Sequence, residues 1–368
     1  MQKILELSSA YKADSYDYTM CYMKAIGIMC VVAGHSLTGS AIEHFVGLFH
    51  MPLFFFVSGY LFKEKYIINP KAFLGRRLKS LWLPTFKWIA VVVLLHNFFF
   101  SLGVYNPDYP YGDTIPYVYS SIDYAKALAS ALLLRCNELL FAGLWFIRML
   151  LIANIICFVM IKYLNSRFLA ILGGGILFVV VAAVLVFEYI GLIHIPYLPF
   201  YASFFFFAGF VWRKYFAEKY QAFLASAKIT ALFIISLIVG LLFVNCSMLN
   251  VTIYRLLPYT LVALSGIFLV MTIGKYMGKQ SKQSFFQRYF TYVGNHTYDV
   301  LMMHIMSFKM VTLLIIIIYR LNIQEIAYFP TNLVYAKKGW FLLYILIGIN
   351  LPLVFRSCYD RLKQRIAQ

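Results

Sequence analysis

Residues 18–62 read YTMCYMKAIGIMCVVAGHSLTGSAIEHFVGLFHMPLFFFVSGYLF. They hold two apolar segments, 18–38 and 45–62, each close to the roughly 20 residues that an α-helix needs to cross a bilayer. Lys24, His35 and His50 lie inside these segments. An ionisable side chain in hydrocarbon is costly and marks a functional site by default. Any account of the chain has to explain these three.

The rest of the chain extends the same theme. Of its 368 residues, 62% are hydrophobic and 12% charged, and the mean hydropathy is +0.79. A soluble domain is about 45–50% apolar and about 25% charged. Further span-length apolar segments fall near 81–103, 143–161, 168–187, 197–212, 229–245, 253–273, 295–318 and 339–355. The expected fold class is therefore all-α: a polytopic integral membrane helix bundle with about ten transmembrane helices, in one domain over 1–368. Segment 125–142 fits either a re-entrant or an interfacial helix. Residues 1–17 are polar, with no apolar core ahead of a small-residue cleavage site, so no cleavable leader is read there.

The formal net charge of +18 would suit nucleic acid, but its distribution suits a membrane. About 22 of the Lys and Arg fall on the side of the two termini, which the positive-inside rule makes cytoplasmic. The charge is thus topology plus room for an anionic ligand, and no nucleic-acid partner is expected. The six cysteines show no paired spacing, so neither a disulfide framework nor a metal is indicated.

Lys24 and His35 are eleven residues apart. At 100° per residue they share a helix face to within about 20° and lie about 16 Å apart along the axis. The second span runs back the other way, which puts His50 at a depth similar to His35. Imidazole is suited to moving a proton near neutral pH or to accepting an acyl group. Glu43 and His44 flank this centre, and a carboxylate there is placed to orient a histidine.

Other polar residues extend the set. The basic stretch 63–80 contains Arg76, Arg77 and Lys79. Paired guanidiniums grip phosphate, though the same residues also suit anionic membrane lipid. Arg148 sits inside a span and fits an acyl carbonyl, a phosphate or an acidic partner such as Glu138. His296 and Asp299 are three apart, hence neighbours on one face, and His304 follows. Ser58-Gly59 permits close backbone approach. The Tyr- and Asp-rich stretch 104–125 fits either an interfacial aromatic belt or a carbohydrate surface.

Taken together, these motifs resemble acyltransferase family 3, integral-membrane enzymes that O-acylate cell-surface carbohydrates from cytoplasmic acyl-CoA. The similarity is nearest to the bacterial, fucose 4-O-acetylase-like branch. Lys24 and His35 match its Arg/Lys and His of the first span, and His50 to Gly59 match its His-x-Pro-x-Phe-Phe-x-x-Ser-Gly pattern. Arg76, Arg77, Lys79, Leu83 and Pro84 match its basic stretch, and Gly294, Thr297 and His304 its late segment. Two positions depart from it: Cys21 stands where an acidic residue is common, and Leu301 where a Tyr is.

The resemblance implies a membrane O-acyltransferase that moves an acetyl group from acetyl-CoA to a hydroxyl of a cell-surface polysaccharide or lipid-linked glycan, with no metal. It would lie in the inner (plasma) membrane with both termini cytoplasmic. His35, His50 and Lys24 would be catalytic. Arg76, Arg77, Lys79 and Arg148 would bind the donor, and Glu43, His44 and His304 the acceptor. The donor pocket is expected to open beside 63–80 and to pass Lys24. The competing expectation is a transporter or flippase of polysaccharide intermediates.

Overall fold

A computed structural model describes residues 17–110, 115–192, 195–224, 226–278 and 284–367. The polar segment 1–16 lies outside the described residues. The protein is an all-α membrane helix bundle, about 80% helical and without strands among the described residues.

The main helices, numbered in chain order, are α1 (Tyr18–Ser36), α2 (Ala41–Gly47), α3 (His50–Tyr60), α4 (Pro70–Arg77), α5 (Leu83–Leu94), α6 (Ser121–Leu132), α7 (Trp145–Tyr163), α8 (Arg167–Tyr189), α9 (Leu198–Val211), α10 (Ala227–Phe243), α11 (Ile253–Gly278), α12 (Phe285–Asn295), α13 (Thr297–Tyr319) and α14 (Phe341–Ala367). Every apolar segment read from the sequence is helical over most of its length. Among the described residues, six stretches are long and apolar enough to cross a membrane: Ala41–Tyr60, Trp145–Tyr163, Arg167–Tyr189, Ile253–Gly278, Thr297–Tyr319 and Leu333–Ile366.

α1 is the hub of the bundle, packed against α2, α3, α11, α12, α13 and α14. It starts at Asp17, whose Oδ1 accepts the Met20 N–H at 3.0 Å, an N-cap satisfying one of the helix's orphan donors. The helix that carries Lys24 and His35 therefore lies inside protein rather than against lipid, as intramembrane polar groups require. The turn after α1 passes through Gly39 at φ +73°, and Ser40 then caps α2 by accepting the Glu43 N–H at 3.2 Å. Pro52 falls in the first turn of α3, where its missing N–H breaks no intrahelical bond. It starts that helix.

Among the described residues, the tightest backbone approaches between helices are at α3–α9 and α12–α1. A Cβ on Gly59 would run into the Phe206 carbonyl, and one on Gly209 into the Phe56 carbonyl, so α3 and α9 touch main chain to main chain. A Cβ on Gly294 would strike the Cys21 carbonyl, which sets α12 tightly on α1. Small residues at interfaces permit such approaches in membranes.

The basic stretch is helical rather than a loop. Asn69 caps α4, its Oδ1 accepting the Ala72 N–H at 3.0 Å, and Pro70 occupies the first helical position, where proline is pre-organised. A π-helical turn, Leu78–Trp82, joins α4 to α5. The wider turn directly precedes Pro84, whose ring an uninterrupted α-helix would not accommodate.

Candidate functional site

A cavity of about 540 Å³ opens at the Ser36 end of α1. His35, Glu43, His44 and His50 all line it, with Trp145 opposite and residues 245–250 forming a further wall. The sequence expectation that the segments 18–38 and 45–62 bring His35 and His50 together is met: α1 and α3 place both on this cavity. The wall 245–250 is a short polar link between α10 and α11, and its sequence, NCSMLN, carries no motif that marks it.

Main-chain carbonyls fix two of the histidines that line this cavity, His50 and His44. His50 Nδ1 lies 2.6 Å from the Val46 carbonyl. A carbonyl only accepts, so the proton is on Nδ1 and Nε2 is left as a lone pair. His44 Nε2–H donates to the Val244 carbonyl at 2.8 Å, tying α2 to the start of the 245–250 wall. The Glu43 carboxylate accepts the Gly39 N–H at 2.5 Å. It stabilises the turn between α1 and α2 rather than orienting an imidazole.

His304 of α13 does not line the cavity. It is 1% exposed and sits behind His35, ring centroids 5.4 Å apart and 34° from parallel. Its Nδ1–H is shared by the carbonyls of Val300 at 3.1 Å and Leu301 at 2.9 Å. Its buried Nε2 has no hydrogen-bond partner among the described residues.

Lys24 lies three turns away on α1, half-buried, and is not part of the cavity wall. Nearby, Cys21 points its thiol at the Thr291 carbonyl, 3.5 Å, and Asn295 Oδ1, 3.7 Å. A carboxylate in that position would face two oxygens and the close Gly294 contact, a physical reason for the thiol. His296 Nδ1 and Asp299 Oδ2 are neighbours at 3.2 Å, as their spacing predicted.

The basic residues cluster at the Tyr60 end of α3, at the far end of that helix from the cavity. The Arg76 guanidinium lies 5.3 Å from the Tyr66 ring centre, and that of Arg77 5.3 Å from Phe73 and 5.9 Å from Tyr66, stacking that holds an Arg fork without neutralising it. Arg77 Nε is buried without a partner among the described residues, and desolvation lowers the Arg77 pKa. Lys79 is exposed. The described cavity at the histidines is lined neither by these residues nor by Lys24, so the expected entrance beside 63–80 does not coincide with it.

Arg148 is one turn along α7 from Trp145, half-buried, with Nε unpartnered among the described residues. Glu138 is not its ion-pair partner. That carboxylate is held by His96, Nδ1 to Oε2 2.9 Å, both side chains buried. His96 Nε2 lies 2.9 Å from the Tyr117 carbonyl, and its ring stacks on Tyr119 at 3.5 Å. Part of the Tyr-rich stretch is thus pinned to the bundle. A second unrecognised group is Lys309 on α13, whose Nζ donates to the carbonyls of Ile326 at 3.0 Å and Tyr328 at 2.6 Å.

Three half-buried imidazoles, His35, His44 and His50, thus line one cavity of a multi-pass helix bundle, and imidazole is a side chain that can move a proton or accept an acyl group. A family model described as an acyltransferase domain matches residues 17–355. The chain belongs to that acyltransferase family, and the match spans α1 through most of α14. Searches of curated proteins and of solved structures gave no match.

Proposed function

We propose that this membrane acyltransferase moves an acetyl group from cytoplasmic acetyl-CoA to a hydroxyl of a cell-surface polysaccharide or its lipid-linked precursor. The observation that carries the reading is the convergence of His35 and His50 on one cavity of about 540 Å³, in a chain of the acyltransferase family. A cavity of that volume is in the range of small-molecule sites.

In the proposed reaction the acceptor hydroxyl gives its proton to His35 as its oxygen attacks the thioester carbonyl. The new C–O ester bond forms, the C–S bond breaks, and the coenzyme A thiolate leaves with the proton returned from His35. A positioned base of this kind contributes about 10²–10⁴-fold in rate. His50, with Nε2 as a lone pair, is the partner base. Glu43 and His44 border the same space and would meet the acceptor.

Arg76, Arg77 and Lys79 would hold the phosphates of the donor at the opposite end of the α1–α3 pair, with Lys24 along the path between and Arg148 nearer the cavity. The positive-inside distribution supports a cytoplasmic location for that basic end and for both termini, in the plasma membrane. The deciding experiment incubates purified protein with isotopically labelled acetyl-CoA and the native surface polysaccharide. Protein-dependent label in ester linkage supports the reading. A saccharide that crosses vesicles while no label is transferred replaces it with transport.

A further inference from the structure

We infer that His304 is a positioning residue for His35: its Nε2 lone pair accepts a ring N–H of His35, which presents the other His35 nitrogen to the cavity as a base. Its catalytic consequence rests on the acyl-transfer reading; the pairing itself does not.

The protonation of His304 follows from its partners. Nδ1 faces two main-chain carbonyls, so it carries the proton, and Nε2 is a bare acceptor. At 1% exposure that acceptor is cut off from solvent, and leaving a buried acceptor unsatisfied is destabilising. Such a group in a native fold calls for a reason. The His35 ring, 5.4 Å away between centroids, supplies a donor when it turns one N–H toward Nε2.

Order in space supports the direction of the pairing. His35 lines the cavity and His304 does not, so a hydroxyl in the cavity meets His35 first. The sequence of groups then runs Leu301 carbonyl, His304, His35, acceptor hydroxyl. The proton taken from the hydroxyl stays on His35, and His304 remains neutral. Its lone pair stabilises the imidazolium that forms, and holds the ring in the useful tautomer. A lone pair in that place is the same device by which a metal-bound or catalytic imidazole is oriented by the acceptor behind it.

The test uses the full chain with His304→Phe, His304→Leu and His304→Gln, each checked for a monodisperse state in detergent. Diethyl pyrocarbonate labelling of His35 at neutral pH, quantified by peptide mass spectrometry, reads the nucleophilicity of His35 without any substrate. Phe and Leu should slow His35 labelling several-fold while leaving His44 labelling unchanged. Gln, whose amide oxygen accepts, should restore it. In the transfer assay, Phe and Leu should lower kcat by about 10–100-fold with the KM for acetyl-CoA unchanged, the usual cost of losing an outer orienting partner.

Equal His35 labelling in wild type and in the folded Phe or Leu variants overturns the pairing, and so does failure of Gln to restore it. Slowed labelling in the variants of a protein whose wild type transfers no acetyl group overturns the acyl-transfer reading and leaves the pairing standing.

Discussion

Gly59 on α3 and Gly209 on α9 occupy reciprocal positions in one helix contact, each directly against a carbonyl or amide of the other helix. Because α3 also carries His50, this contact sets where that imidazole meets the cavity. Gly59→Leu would force the helices apart at Phe206, and overpacking of this kind costs about 1–3 kcal/mol. The expected outcome is a melting temperature several degrees lower in detergent, with reduced transfer. An unchanged melting temperature would mean that the two backbones do not touch.

The pair His96–Glu138 fixes the segment leading into α7 to the short helix His96–Ser101. Both side chains are buried, and removing one partner of a buried pair leaves an uncompensated group at a cost of about 3–5 kcal/mol. His96→Leu should therefore release the Tyr117–Tyr119 strap, which the His96 ring and Nε2 also hold. Limited proteolysis is the measurement: new cleavage near 115–120, with α1 to α3 still protected. Wild-type cleavage kinetics would show that the pair is dispensable.

The helices are legible in the sequence because apolar runs of span length leave few alternatives. The His35–His50 convergence is legible because two short-linked antiparallel helices must bring those positions together. Long-range partners are not. Nothing in sequence links His96 to Glu138, 42 positions on, so Glu138 stays open to Arg148 until the fold is known. Nor does NCSMLN announce that it walls the cavity. The helical state of 70–77 is signalled by Asn69-Pro70, a cap followed by a first-turn proline, but the density of charge there reads as a loop. His304 is recognisable as a buried histidine, whereas its place behind His35 depends on how α13 packs on α1.

His35→Ala should abolish acetyl transfer while expression, membrane insertion and melting temperature stay near wild type. The side chain lines a cavity rather than filling a packed core, so its removal costs little packing. Loss of a positioned base corresponds to about 10²–10⁴-fold in kcat. His50→Ala should give a smaller loss. Transfer by purified His35→Ala at the wild-type rate with both substrates saturating would remove His35 from the mechanism.

Arg76→Ala combined with Arg77→Ala should raise the KM for acetyl-CoA and leave that for the acceptor unchanged. Both guanidiniums are held by aromatic faces rather than by carboxylates, and Arg77 Nε is buried without a partner among the described residues, so their charge is open to a phosphate. Hydrogen bonds to charged groups contribute about 1.5–3 kcal/mol each, so removing one guanidinium–phosphate bond weakens binding roughly ten- to a hundredfold. Lysine at both positions should recover only part of the affinity, because a point charge cannot reproduce the two-pronged fork. Equilibrium binding of coenzyme A to the purified variants separates this from a role in topology. Tight binding by the double alanine variant, correctly inserted, would leave these arginines with lipid headgroups alone.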